Sequence, residues 1–326
     1  MKHNLVADGY SYRIRPITYE DAQFIIDVRL EDKERNCFIH EISSDVNIQY
    51  QWLDKYFERD DDYYFVIENK LLGEREGLIA IYDVKENKAE WGRWVIKKGS
   101  LSAIESVDLI FKVAFEKLGL EELYCRTIED NITVVSFHET VGLKKRGILN
   151  EFFELHGKRA NAVEHYINRD LYFSQIQSEL EDKSCLIFRR NIKQLLGKFD
   201  FHHIGVATSN IEKEFMSYKF LGYKKEGTTF EDPNQGIKGL FIVANNQPRL
   251  ELLADINGSN TVSPFLSKGT KMYHFAYIVS NIETAVEILV KCRAKVISPL
   301  KKSTYFGKRI CFMLLPNMFM IELVEE

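Results

Sequence analysis

The alternation of apolar and polar positions divides the chain into two halves built on different plans. In the first half, period-two runs predict strands over residues 12–16, 64–68, 78–83, 89–96, 122–127, 146–153 and 162–168. Spacings of three and four predict the helices between them. Ala22, Ile25 and Ile26 follow a cap at Thr18-Tyr-Glu-Asp21, and Ile48, Trp52, Leu53, Tyr56 and Phe57 share a second face. Ala103, Val107, Ile110, Phe111, Ala114 and Leu118 make a third, and a last helix opens at Asn131. Residues 173–198 are charged and mixed and predict a helical linker.

The second half repeats itself. His203-Ile-Gly-Val-Ala-Thr-Ser209-Asn-Ile-Glu212 reappears as His274-Phe-Ala-Tyr-Ile-Val-Ser280-Asn-Ile-Glu283, and Glu251-Leu-Leu as Glu322-Leu-Val, all at one offset of 71. A shared offset means two copies of one supersecondary unit. Each copy reads as strand, helix and three strands, with Ser209 or Ser280 as the N-cap of an S-x-x-E capping box. Two domains also suit 326 residues, at roughly 150 per domain.

Composition narrows the function classes. Apolar types make up 45% and charged types 28%, as in a globular protein. A net charge of −4 offers no positive field for nucleic acid or an anionic membrane, so neither is an expected partner. No stretch approaches the roughly 18 apolar residues of a membrane span, and the start lacks a signal-peptide core, which leads us to expect a cytoplasmic protein. The five cysteines (Cys37, Cys125, Cys185, Cys292 and Cys311) have no C-x-x-C spacing. They read as reduced thiols, mostly in strands, and not as disulfides or a zinc knuckle.

In the first half the informative junction is strand Trp91-Gly-Arg-Trp-Val-Ile96, loop Lys97-Lys-Gly-Ser-Leu-Ser102, then the long amphipathic helix. A glycine-bearing loop at a helix start presents free amides and the positive end of the helix dipole, which suits a pyrophosphate; it can equally be a plain turn. The order of elements over residues 10–172 resembles the GNAT acetyltransferase family, in its branch acting on amino-sugar nucleotides or N-terminal amines. The residues carrying the resemblance are Ile42-Ser43, Ala89-Glu90-Trp91-Gly92, Asn131, Gly142-Leu143 and His156-Gly157-Lys158. It implies acetyl-CoA as cosubstrate, lying against Trp94, Val95 and Ile96, with its pyrophosphate on Lys98, Gly99, Ser100, Leu101, Ser102 and Ala103 and its arm against Asn131. Leu101 departs from the family, which has a second glycine there. His138 stands where many members carry a tyrosine that protonates the leaving thiolate; it is either that acid or a solvent-facing helix residue. Glu90 is either the base that takes the amine proton or an ordinary strand carboxylate.

In the second half the repeat places a His at the start and a Glu at the end of each copy. His203, Glu251, His274 and Glu322 then offer two imidazoles and two carboxylates, a donor set for Zn²⁺, Ni²⁺, Co²⁺ or Mn²⁺. His202 should point to the opposite face from its neighbour. The pattern resembles the vicinal oxygen chelate (glyoxalase) superfamily over residues 199–326, and methylmalonyl-CoA epimerases most: Asp232-Pro-Asn-Gln-Gly-Ile, Leu250-Glu-Leu-Leu, Tyr273-His-Phe-Ala and Met320-Ile-Glu-Leu. The resemblance implies that the four residues are metal ligands and that Glu322 also moves a proton. The epimerases use two carboxylate bases, and the second base position falls on Gly239, which has no side chain.

The expected fold is therefore α+β. A GNAT mixed-sheet domain over residues 1–172 is joined through a linker at 173–198 to a duplicated βαβββ vicinal oxygen chelate domain at 199–326. The expected function is a bifunctional enzyme: N-acetylation of an amine acceptor, such as an amino-sugar nucleotide, and metal-dependent enolisation of an acyl-CoA or small carbonyl metabolite. The alternatives are a non-catalytic metal or ligand-binding second domain and a drug-modifying or drug-sequestering resistance protein. Metal sites of the second family are completed within one chain or across two, so a homodimer is among the expected assemblies.

Overall fold

The computed structural model describes residues 3–32, 34–256 and 258–326. It forms two compact units, Met1–Arg190 and Asn191–Glu326.

The first unit runs β1 (Ala7–Asp8), β2 (Tyr12–Pro16), α1 (Ala22–Leu30), α2 (Val46–Phe57), β3 (Tyr63–Asn69), β4 (Glu74–Lys85), β5 (Lys88–Ile96), α3 (Ala103–Lys112), β6 (Glu122–Ile128), α4 (Ile132–Thr140), β7 (Lys144–Leu155), β8 (Lys158–Asn168), the short α5 (Arg169–Leu171) and α6 (Gln177–Leu196). Its strands make one sheet in the order β1-β2-β3-β4-β5-β6-β8-β7. The middle of β4 is apolar without alternation because successive residues feed opposite cores. Ile79 and Ile81 join Trp91, Val107, Phe111 and Leu123 on the α3 side. Leu78 and Ala80 join Ile25, Leu53, Tyr56 and Val66 on the α1–α2 side. Each fully buried isoleucine, leucine, valine or phenylalanine among them stabilises the fold by about 1.5–3 kcal/mol.

Glu105 of α3 is fully buried and accepts the backbone amides of Ser11 (2.9 Å) and Tyr12 (3.1 Å) at the start of β2. Burial pushes its carboxyl up to about 7 against those two bonds.

The expected linker is a helix whose ends belong to different cores. Ile176 and Leu180 are buried with Phe111 and Tyr172, whereas Leu196 packs with Val279 and Ile282. The compact-unit division consequently falls within α6.

The second unit runs β9 (Phe199–Ala207), α7 (Ile211–Lys219), β10 (Lys224–Asp232), β11 (Ile237–Val243), β12 (Leu250–Asp255), α8 (Ser263–Ser267), β13 (Met272–Val279), α9 (Ile282–Lys291), β14 (Lys295–Lys302), β15 (Arg309–Leu314) and β16 (Met320–Glu325). Both copies have the expected order, with α8 added between them. The strands form one sheet ordered β10-β11-β12-β9-β13-β16-β15-β14. Within each copy the first strand pairs parallel to the last, and the copies meet antiparallel along β9 and β13.

The helix caps differ from the expected serines by one residue. Asn210 accepts from the Lys213 amide (3.0 Å) and Asn281 from the Thr284 amide (2.8 Å). The Asn side chain reaches the third helical amide from the last extended residue, so the preceding serine lies outside the helix.

Candidate functional site

The first site arises where two strands separate. β5 and β6 pair in parallel only through Lys88–Glu90 and Glu122–Tyr124. Beyond Glu90 they diverge, and β5 carries a bulge at Arg93, whose φ is +46°. The gap opens into a cavity of about 490 Å³ lined by Glu90, Trp91, Trp94, Arg126, Asn131 and His138 among others. The structure thus brings together Glu90, Trp94, Asn131 and His138, four of the residues singled out in the sequence.

Glu90 is buried at the apex of the gap and accepts from Arg126 Nη1 at 2.9 Å. Burial raises its pKa, with Arg126 pulling the other way. Arg126 was not anticipated: it also donates to Glu164 on β8 at 2.9 Å, and nothing in the alternation of β6 distinguishes it. Gly92 lies beside this group, where a Cβ would press on the Tyr82 hydroxyl.

His138 is not solvent-facing. Its ring lies 5.2 Å from that of Trp91, with Cys125 Sγ 3.5 Å from Nδ1, and burial pushes its pKa down to about 3. The solvent-facing alternative is thereby set aside, and any proton His138 gave up would come from a neutral ring N–H, as it comes from the neutral tyrosine hydroxyl of the family. Asn131 caps α4, its side chain accepting from the Val134 amide at 3.4 Å.

Trp94 donates through Nε1 to Ser106 at 3.2 Å. Val95 and Ile96 are buried, and the Ile96 carbonyl accepts from Arg35 at 2.9 Å. In the following loop Gly99 adopts a φ of +82°, the left-handed turn that lets the chain enter α3. The loop amides are partly engaged. Lys98 N donates to Glu31 at 2.9 Å, its Nζ pairs with Asp32 at 3.1 Å, and Ser100 donates to Glu76 at 2.5 Å. Ser102 donates its amide to Ser100 Oγ, half-buried Leu101 fills the family's glycine position, and Ala103 starts α3.

The second site arises where neighbouring strands stay paired, with bulges in the β9–β13 ladder beside the two histidines. His203, Glu251, His274 and Glu322 come from β9, β12, β13 and β16, which are contiguous in the sheet, and all four are buried. One donor atom of each lies within 4.8 Å of all the others. His203 Nε2 is 2.8 Å from Glu251 Oε2 and 3.5 Å from Glu322 Oε2, and His274 Nε2 is 3.3 Å from His203 Nε2 and 3.4 Å from Glu322 Oε2. Glu322 Oε2 has no hydrogen-bond partner. Burial pushes Glu251 up to about 7 and His203 down to about 3, so the bare set resists carrying charge. Gly205, opposite His274 in register, is the cradle: a Cβ there would overlap the imidazole ring. An orphaned carboxylate oxygen, converging nitrogens and a dry setting all fit a divalent ion.

His202 does not point away from His203. The register passes from Ala276 opposite His203 to Tyr277 opposite Phe201, leaving His202 unpaired in a bulge. Its Nδ1 lies 2.8 Å from His203 Nδ1, and Arg249 Nη1 donates to its Nε2 at 2.7 Å. The ligand ring is thereby held from behind, as metal-binding histidines commonly are. At Gly239 the Phe230 ring occupies the place of a Cβ and stacks on Tyr305 with centroids 3.7 Å apart.

Fold and sites together define a two-domain protein, with a GNAT acetyltransferase domain followed by a glyoxalase-type vicinal oxygen chelate domain. Residues 12–144 match the acetyltransferase (GNAT) domain family, and residues 202–312 match the glyoxalase/bleomycin resistance protein/dioxygenase superfamily. Among curated proteins, the chain is 27% identical over 114 residues to the mitochondrial methylmalonyl-CoA epimerase of Bos taurus. That match covers 34% of this chain and 65% of the bovine protein, just under two thirds of its length. Among solved structures, a GCN5-related N-acetyltransferase from Brucella melitensis is 17% identical with a TM-score of 0.49, covering 57% of this chain and 86% of that one. FdhC, a nucleotide-linked sugar GNAT, is 25% identical with a TM-score of 0.47, covering 55% and 98%. No helix among the described residues is long and apolar enough to cross a membrane.

Proposed function

We propose that the chain is a bifunctional enzyme, transferring an acetyl group from acetyl-CoA to an amine in its first domain and carrying out metal-dependent enolisation in its second. The parting of β5 from β6 at Glu90 carries the first assignment. It places a buried carboxylate of raised pKa at the apex of a cavity large enough for the reacting ends of two substrates. Glu90 takes the proton from the attacking ammonium, and Arg126 holds the carboxylate in place.

The cavity wall favours an anionic, ring-bearing acceptor. Arg29 lines it with its Nε unpartnered, and Trp52 and Tyr64 offer aromatic surface. This supports an amino-sugar nucleotide over a polycationic amine. The test is acetylation of a panel of amines followed by mass spectrometry. We expect turnover of an amino-sugar nucleotide above that of spermidine; transfer to spermidine alone would overturn the acceptor assignment, and no acetyl transfer to any amine would overturn the domain's function.

In the second domain His203, Glu251, His274 and Glu322 would hold a divalent ion, with Zn²⁺, Ni²⁺, Co²⁺ and Mn²⁺ as candidates. When bound, the ion supplies Lewis-acid polarisation of a substrate carbonyl. Glu322 is the proton carrier through its other carboxylate oxygen, Oε2 being the one turned toward the two histidines. The position that carries the second base in the epimerases is here Gly239, which lacks a side chain and whose place Phe230 fills. The domain therefore acts through one base on a small carbonyl compound and not by two-base epimerisation. Metal analysis should show one equivalent lost in His274→Ala, and methylmalonyl-CoA should keep its configuration; efficient epimerisation would overturn the one-base reading.

A further inference from the structure

The first domain gathers a second set of metal-type donors that neither activity uses. Cys125 on β6 and His165 on β8 face each other directly across the antiparallel pair, so their side chains rise on one side of the sheet. α4 lays His138 over them, its Nδ1 at 3.5 Å and Nε2 at 4.0 Å from Cys125 Sγ. The rings of His138 and His165 are 5.5 Å apart between centroids. One donor atom of each residue lies within 4.8 Å of the other two, and all three residues are buried.

His165 makes the cluster more than coincidence. It is completely buried, yet neither ring nitrogen has a hydrogen-bond partner. The Glu139 carboxylate comes only within 3.7 Å of Nε2, beyond hydrogen-bonding distance. An unsatisfied buried polar group costs about 1–3 kcal/mol, and an apolar residue would pack this strand position without that cost.

We propose that Cys125, His138 and His165 form a metal site for a thiophilic divalent ion, Zn²⁺ being the ion it fits. Cysteine sulfur and histidine nitrogen are both ordinary zinc ligands, and three protein ligands leave a fourth tetrahedral position open. Around a tetrahedral ion with ordinary Zn–S and Zn–N lengths, such donors lie about 3.5 Å apart, which is the Cys125–His138 separation. Burial holds both imidazoles neutral, the state in which they bind metal. It also raises the Cys125 thiol, whose proton the ion would displace. Cys125 and His138 line the acetyl-transfer cavity, so the open position is accessible to a molecule bound there.

Cobalt substitution separates this site from the one in the second domain, because only this one contains sulfur. Metal-free full-length protein titrated with Co²⁺ under reducing conditions should develop a near-ultraviolet thiolate-to-cobalt charge-transfer band. The band should vanish in Cys125→Ser and His165→Ala and persist in His274→Ala. Absence of the band from wild type overturns the proposal whatever the variants do, and its persistence in Cys125→Ser assigns the sulfur to another cysteine and overturns it equally. Circular dichroism of the variants distinguishes loss of the site from loss of the fold.

Discussion

Two eight-stranded sheets in one chain make their sites by opposite means. In the first domain the site exists because two strands stop pairing: β5 and β6 share three residue pairs and then diverge, leaving a cavity with Glu90 at its apex. In the second, four neighbouring strands keep pairing, and the sheet brings four donors within 4.8 Å of one another. Parting creates room, which a large cosubstrate and its acceptor need. Strands that stay paired create fixed distances, which an ion needs. The two sites should accordingly fail differently under substitution, one losing rate and the other losing binding and stability together.

Glu90→Gln tests the first half of that contrast most severely. It should lower kcat/KM for acetyl transfer by about 10²–10⁴-fold while the folded protein and acetyl-CoA binding persist. The base acts as a carboxylate, so wild-type activity falls as pH drops through its pKa. Since burial raises that pKa, the acidic limb should lie above the ordinary carboxylate range and disappear in the variant. A Glu90→Gln enzyme with full activity removes the residue from the mechanism.

The second half is tested by metal and heat. With free ion at a thousand times its dissociation constant, binding should stabilise the second domain by about 4 kcal/mol, seen as a shift in its thermal transition. His274→Ala should abolish the shift; an unchanged shift would place the ion elsewhere.

Glu105 provides a smaller effect away from either site. Its pKa is raised in the folded state to about 7, so its contribution to stability is present below the unfolded value near 4.5 and is lost as pH rises through about 7. The difference amounts to about 3 kcal/mol. Urea unfolding of Glu105→Gln should lack this slope between pH 4.5 and 7, and an identical slope would mean that another group produces it. Smallest is Gly205→Ala, expected to cost about 1–3 kcal/mol through overpacking. It should also lower metal affinity by displacing the His274 ring; normal affinity with lower stability would show that the ring can move without cost.

The repeat made the second site legible, since a single offset aligned His203 with His274 and Glu251 with Glu322, and parallel pairing within each copy then set them on neighbouring strands. The bulge at His202 was not legible, because alternation assumes an unbroken ladder and a bulge reverses the face of one residue. The Asn caps were missed by one position for a related reason: Ser and Asn both cap helices, and only the backbone decides which stands at the boundary. In the first domain Glu90 and Asn131 could be picked from local motifs. Arg126, Cys125 and His165 could not, because they converge through the β6–β8 register and the packing of α4, which no short spacing records. His138 was noticed as a possible acid, but its burial among Trp91, Cys125 and Thr127 is a property of the packed domain.

Gly205 also bears on how the two copies have diverged. At the repeat offset its counterpart is Ala276, which faces His203 in the sheet as Gly205 faces His274. The two histidines therefore rest on floors that differ by one methyl group, and the halves are not interchangeable. A protein rebuilt from two first copies would keep a glycine beneath each imidazole. One rebuilt from two second copies would place an alanine beneath both, and the ring position that His274 now occupies would be closed to it. The duplicated unit is symmetric in its chain path but not in its tolerance of change.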